Sequence, residues 1–480
     1  MKMMNERKRQ HPFYVFFSFV TILRHMIIPG ILAFLSTAEL RSYISTHWIV
    51  LFVAIILMLM LVSSLLEWRR FTYRVEDGSL KVEQGIFVKK RRDISRERIQ
   101  SIDESAGIFH RLFNVVKVTI ETAGGQGKPE VVLNTVKKSD ADALRRALSK
   151  KRDLQENEEQ STDSDEITLD YRSKFKLTTQ QLLIAGATSG KIGVVMAAIG
   201  GLLSQADRVL PDRFFESIFQ EIIESSLAFI GVVLIAAAVI AWFLAMLGAV
   251  LKYGGFTLTI TEKELRIEHG LLEKRQLTIP VNRVQAVRIE EGILRQPFGL
   301  SALYVETGGG GGEDDFSTVL FPLLAKKDVF PFLEKVLPNY AHSCDWQPLP
   351  KRALKRYLFR AAIPITVLAL ITGSFIPWGY WLFTFVPIFA FFGYLAYRDA
   401  GWAFSEQRVF LRFRRLSRTT VIVQKRRAQA AETQQSFLQK RARLASFQVS
   451  VISSFAGAHF KVRDLEASDG ADLLDWLRKA

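Results

Sequence analysis

The sequence predicts an α+β membrane protein built on one plan used three times. Each copy is a transmembrane helical hairpin, giving six spans in all, followed by a small β-barrel or sandwich capped by a C-terminal helix. Three observations predict this. Of the 480 residues, 49% are hydrophobic and yet 23% are charged, which suits apolar spans alternating with water-facing domains better than one soluble core. The apolar segments fall in pairs. A stretch of 51 residues after the first pair recurs after the second and, more faintly, after the third.

The charge balance is +16. Nucleic acid, an anionic membrane surface, or the cytoplasmic Lys/Arg excess of a membrane protein would each account for it. The single cysteine, Cys344, excludes an intramolecular disulfide. The basic start MKMMNERKRQ leads into an apolar run with no A-x-A-like site, so no cleavable signal is expected.

Residues 1–70 hold an entry helix and the first hairpin. Phe13–Leu23 reads as an amphipathic helix lying on the membrane, with Arg24 at the interface because a charge at mid-bilayer costs a few kcal/mol. A weak span over 26–42 follows, then the clear span Ile49–Leu66. A single kinked span over 13–38 is the alternative. Residues 171–251 repeat the pattern with 190–205 and Leu227–Leu251, and residues 341–398 repeat it with 361–376 and Tyr380–Tyr397. The clear spans match the ~30 Å hydrocarbon core. The hairpin tips are poor in lysine. Arg69, Arg70, Arg74, Lys174, Lys176, Lys351, Arg352, Lys355 and Arg356 crowd the opposite side. The positive-inside rule therefore puts the protein in the cell membrane as a multi-pass chain, with both termini and every large hydrophilic region cytoplasmic.

The hydrophilic modules are 71–152, 252–340 and 399–480, and the eight-acid run 153–170 is a linker without a packing pattern. Residues 71–121 align without a gap on 256–306, with thirteen identities that include Gly85/Gly270, Arg98/Arg283, Gln100/Gln285, Phe113/Phe298 and Glu121/Glu306. The third copy, at 400–450, keeps Arg427 and Gln429. It has Arg414 and Ser436 for two glycines and Ala442–Arg443 for Phe–Gly, and so reads as degenerate at its turns. Alternating runs such as FTYRVEDGSLKVEQG predict paired strands. Helical patterns at Ser139–Ser149, Ala325–Leu337 and Gly470–Lys479 close the modules.

Several stretches invite a chemical reading. The five glycines 308–312 precede Glu313, Asp314 and Asp315 and then a strand. A phosphate loop needs a helix there, and calcium needs spaced oxygen ligands. A hairpin tip accounts for them. In Arg–x–Gln, Val284 and Val287 are expected in the core while Arg and Gln hold a bend. The functional reading makes Arg98, Gln100, Arg283 and Gln285 a partner contact. Lys89, Lys90, Arg91 and Arg92, with Arg412, Arg414 and Arg415, are candidate contacts to anionic lipid, each worth on the order of 1 kcal/mol near a charged leaflet. Cytoplasmic charge bias alone is the alternative. No HExxH, GxSxG, helix-turn-helix or zinc pattern occurs. Catalytic and metal residues, a cofactor and a nucleic-acid partner are therefore not expected.

Ile279–Pro280, Arg283–Val284–Gln285, Gly292–Ile293 and Phe298–Gly299–Leu300 resemble the signature of the bacterial pleckstrin-homology-like domain, type two. With three copies, each after a hairpin, the chain resembles the YdbT-type membrane proteins of Gram-positive bacteria. Copy one departs at Ser95 (for Pro) and Asn114 (for Gly). The resemblance implies a strongly bent seven-stranded sheet closed by a helix, no enzymatic activity, and a scaffold for protein or lipid contacts. It also implies a membrane-protein partner, a related shorter PH-like membrane protein being one form, and a role in tolerance to antimicrobial peptides and bacteriocins. The rival expectation is a transporter or channel component whose modules regulate a six-helix path.

Overall fold

The computed structural model describes residues 7–36, 46–76, 78–122, 129–149, 173–190, 192–203, 227–308, 318–342, 344–453 and 457–478. The acidic linker and the loop 309–317, with most of the glycine run and Glu313–Asp315, lie outside them. The chain divides into two compact units, Met1–Leu169 with Leu272–Thr278, and Asp170–Leu271 with Ile279–Ala480.

In the first unit, helices α1 (Tyr14–Ser36) and α2 (Thr46–Arg70) pack together. The helix α1 runs unbroken past Arg24, which corrects the expected division into an entry helix and a separate span. No glycine, proline or capping residue stands at 23–25 to end a helix there. Module one follows. β1 (Thr72–Glu76), β2 (Ser79–Gln84) and β3 (Lys90–Ser95) form a meander, with residue Lys8 bridging to Tyr73 on the far side of β1. A 3-10 turn, Arg96–Arg98, leads to β4 (Ile99–Ala106), the short α3 (Ile108–Leu112), β5 (Val115–Thr122), β6 (Val131–Lys137) and α4 (Lys138–Ser149). Alternation puts Tyr73, Leu80, Val82 and Ile94 of the first sheet inside with Ile102, Val118, Ile120 and Leu133 of the second, and Ala141, Leu144 and Leu148 of α4 close the core. Burying each large aliphatic side chain contributes roughly 1.5–3 kcal/mol. Gly85 has φ +112°, and a Cβ there would stand 2.0 Å from the Val88 carbonyl oxygen, so the β2–β3 turn needs glycine.

The second sheet of module one does not close on itself. The free side of β4 takes residues Lys274–Thr278 from much later in the chain, antiparallel, with Ile102 opposite Thr278 and Ala106 opposite Lys274.

The second unit begins with β7 (Ser173–Lys176), α5 (Thr179–Ala187), α6 (Ile192–Leu203) and α7 (Leu227–Tyr253). Both α5 and α6 pack on α7. Next come β8 (Thr257–Ile260), β9 (Glu264–His269), β10 (Lys274–Pro280), a turn at Val281–Arg283, β11 (Val284–Glu291), β12 (Leu300–Thr307), β13 (Thr318–Ala325) and α8 (Val329–Val336). After β14 (Gln347–Pro348), α9 (Ala353–Phe375) turns into a 3-10 segment, Pro377–Phe385, continued by α10 (Val386–Asp399). Module three is β15 (Gly401–Phe404), β16 (Arg408–Arg414), β17 (Arg418–Gln424), β18 (Ala428–Gln434), α11 (Phe437–Arg441), β19 (Leu444–Val451), β20 (Ala458–Glu466) and α12 (Ala467–Arg478).

Here one seven-stranded sheet runs in the order β13-β12-β11-β17-β16-β15-β14. Module two's fourth strand, β11, pairs with module three's third, β17, from Ala286 opposite Val423, through Val287 opposite Ile422, to Glu291 opposite Arg418. The modules have the expected double-sheet cores, but their sheets are shared at the edges rather than closed into separate barrels. Among the described residues, four helices are long and apolar enough to cross a membrane: Leu51–Arg70, Gly231–Tyr253, Ala353–Phe375 and Trp378–Asp399.

Candidate membrane-coupling site

The Arg–x–Gln pattern occupies the same place in all three copies. A 3-10 turn ends on its Arg, and its Gln is the unpaired residue of a β-bulge, between Ile99 and Ser101, Val284 and Ala286, and Ala428 and Ala430. A bulge bends its strand, which carries the chain from the first sheet of a module into the second. Val284 and Val287 are buried, as expected. Gln285 is buried too, and its amide donates to the Arg283 carbonyl oxygen at 3.0 Å. Arg98 is exposed and Arg283 half-buried. Arg427 donates through Nη2 to the Asn282 carbonyl oxygen, one module back.

The turn that follows meets the helix ahead of its module directly in modules one and two and through Asp464 of β20 in module three, by different chemistry each time. In module one the contact is aromatic. Phe113 stacks on Phe13 at 3.6 Å between ring centroids, and His110 on Phe17 at 4.0 Å. Burial holds the His110 imidazole below its usual pKa, favouring the neutral ring that stacks. In module two, Arg295 donates to the Thr188 hydroxyl and to the Ala185 and Pro322 carbonyl oxygens, each at 3.1 Å, and so caps the end of α5. In module three, Asp464 is fully buried and binds Arg356 (2.9 Å), Arg360 (2.7 Å) and Gln439 (2.9 Å), the two arginines coming from α9. Two charge-assisted contacts to one buried carboxylate make a strong anchor.

The basic stretch of module one stands on the edge strand β3. Lys89, Lys90, Arg91 and Arg92 are all exposed. Lys89 and Arg91 reach Glu83 at 3.1 and 3.4 Å, and Arg92 donates to the Glu130 carbonyl oxygen. Surface pairs of this kind contribute ~0–1 kcal/mol and leave the cations able to exchange partners. The turn beside them projects Phe87, 98% exposed, and Val88.

Module three's basic residues are placed otherwise, which corrects the expectation that Arg412 and Arg414 face lipid. Arg414 has a side chain only 2% exposed. Its guanidinium is taken up by Asp399 (Nε to Oδ2, 2.6 Å) and by Gln296 of module two. Arg412 donates to the Asp399 carbonyl oxygen at 2.7 Å and lies over the Trp346 ring at 4.4 Å. Arg415 alone of the three is exposed. Arg418 joins the cluster through Glu291, at 2.9 Å from Nε to Oε1. Buried charge needs a partner, and the carboxylates at the end of α10 and of β11 supply it. Sequence reading missed Asp399, Glu291, Arg418 and Asp464. A lone acid directly after an apolar span, as Asp399 is, was the available signal.

A family model described as a bacterial PH domain matches three times, at residues 26–152, 219–339 and 355–480. The chain is 35% identical over 490 residues to the UPF0699 transmembrane protein YdbT of Bacillus subtilis (strain 168), covering 99% of this chain and 98% of that one. No solved structure matches it.

Proposed function

The chain belongs to the bacterial PH domain family, and from that premise we propose that it is a non-enzymatic scaffold of the cell membrane. Its six spans hold three cytoplasmic modules against the inner leaflet, and the first module reads anionic lipid. One observation carries the lipid reading: the β2–β3 turn of module one offers exposed Phe87 and Val88 beside the four exposed cations Lys89–Arg92. An apolar wedge flanked by cations is what an anionic leaflet binds, through burial of the wedge and Coulomb attraction together. The equivalent turn of module two begins at Leu271, whose backbone N–H donates to the Leu251 carbonyl oxygen near the end of α7, so turns of this kind lie at the height of the helix ends. The sockets on α1, α5 and α9 would transmit partner binding at a module to the spans. A membrane-protein partner and tolerance to membrane-active peptides complete the reading.

A polarity-sensitive dye on Phe87→Cys in a Cys344→Ser chain tests the lipid role. In nanodiscs with phosphatidylglycerol its emission should shift to the blue relative to neutral lipid, and Lys90→Glu/Arg91→Glu should abolish the shift. Equal spectra in both lipids would sink the lipid reading. Unchanged sensitivity of a deletion strain to cationic and circular peptides would remove the tolerance role.

A further inference from the structure

Two joints in this chain follow one rule. Module one aligns on module two at +185 and module two on module three at +144. In those terms the pairs Ile102–Thr278 and Val287–Ile422 are the same pair, and so are all those out to Ala106–Lys274 and Glu291–Arg418. A fourth strand thus takes the next module's third strand in a fixed antiparallel register. Two strands are left over. The third strand of module one, β3, is the edge of its sheet, and the fourth strand of module three, β18, is the edge of another. Neither has an outer partner among the described residues.

We propose that β18 of one copy pairs with β3 of a second copy of this chain, head to tail, in the register of the internal joints. That register sets Ala431 opposite Asp93, Glu432 opposite Arg92, Thr433 opposite Arg91 and Gln434 opposite Lys90.

Three observations carry it. The first is continuity, since the same edge types already pair twice in the same register. The second is charge. Lys90, Arg91 and Arg92 on β3 repel a second β3, whereas β18 holds no cation between Ala428 and Gln434 and offers Glu432, exposed, opposite Arg92. Charges on an edge strand ordinarily guard it against pairing; here they admit one partner and refuse the other. The third is Arg98. Its counterpart Arg427 clamps the Asn282 carbonyl oxygen of the module before it. Arg98 is exposed and has no hydrogen-bond or ion-pair partner among the described residues. In the docked pair it donates to the carbonyl oxygen of Arg426, the counterpart of Asn282, in the other copy. Anchored copies share one plane, which raises their effective concentration. The contact is heterologous, so it builds rings or open rows rather than closed dimers.

Cross-linking in native membranes tests this, in full-length Cys344→Ser chains carrying different tags. One chain carries Glu432→Cys and the other Arg92→Cys. Opposed residues of an antiparallel pair lie within disulfide range, so oxidation should join the two tags. Shifting the first cysteine to Gln434→Cys should cut the product severalfold, and Arg98→Ala should lower it. The internal pair Glu290→Cys with Thr419→Cys is the positive control. A working control with no product between the tags would overturn the proposal. Equal product from the shifted pair, or capture of a different protein in place of the second copy, would also overturn it.

Discussion

Module three and module one solve the same problem in opposite ways. Module one keeps the glycine turn and holds its helix with stacked rings, leaving its cations on the surface. Module three gives up the glycine. Arg414 stands where Gly85 and Gly270 stand, the hairpin zips to Arg414 opposite Arg418, and both guanidinium groups turn inward to Asp399, Gln296 and Glu291. What reads in the sequence as decay is an exchange of turn chemistry for joint chemistry. The lesson is that losing a motif glycine can mark a gained contact.

The largest test of this contrast is Asp464→Ala. It removes the carboxylate that holds the partly exposed Arg356 and Arg360 and should destabilise module three by roughly 3 kcal/mol. Limited proteolysis of the detergent-solubilised chain should show cleavage in 399–480 well before 71–149. The ring contact of module one has no such charge to strand, so Phe113→Leu should be milder by several fold in the same assay. If the two are equal, the contrast between the anchors fails.

Arg414→Gly would restore the ancestral-looking turn yet remove the partner of Asp399 and Gln296. A loss of roughly 1.5–3 kcal/mol is expected, seen as a lower unfolding midpoint, with the double variant Arg414→Gly/Asp399→Asn recovering part of it.

A pH test separates the modules further. Burial pushes the Glu121 carboxyl of module one up to about 7, and burial likewise pushes Asp103 up to about 6. Both folded-state values lie above those of the unfolded chain. These two groups therefore contribute most to module one's stability at low pH, and that contribution is lost as pH rises from about 4 through 6 to 7. Glu121→Gln should raise the midpoint at pH 8 and change it little at pH 4.

The smallest effect concerns one backbone position. Asn114, Gly299 and Arg443 are equivalent and all left-handed, with φ of 53°, 61° and 54°. Arginine is the least suited of the three to that region. Arg443→Gly should stabilise by about 0.5–1 kcal/mol, and Gly299→Arg should cost about as much, by thermal unfolding.

The sequence displayed the modules because self-similarity survives in their apolar alternation, and it displayed the bulge because Arg and Gln recur where a bend is needed. The joints were hidden. Pairing β11 with β17 is a choice of edge, and the strand pattern of VQAVRIEE is the same whichever neighbour it takes. The anchors were hidden for another reason: Phe113, Arg295 and Asp464 share a task without sharing a residue type, so repeat alignment could not flag them. The break expected at Arg24 failed because a charge alone does not end a helix when its neighbours are helix-compatible.

The repeated register has one more consequence. A module that offers one edge and accepts the other behaves as a polar building block, so its joints are indifferent to how many blocks precede them. Duplicating an internal hairpin-plus-module would keep the backbone register at every joint and the same two end strands on show. Loss of module two, by contrast, would set Arg111 and Ala106 where Arg414 and Arg418 now find Gln296 and Glu291, so that change needs compensating substitutions.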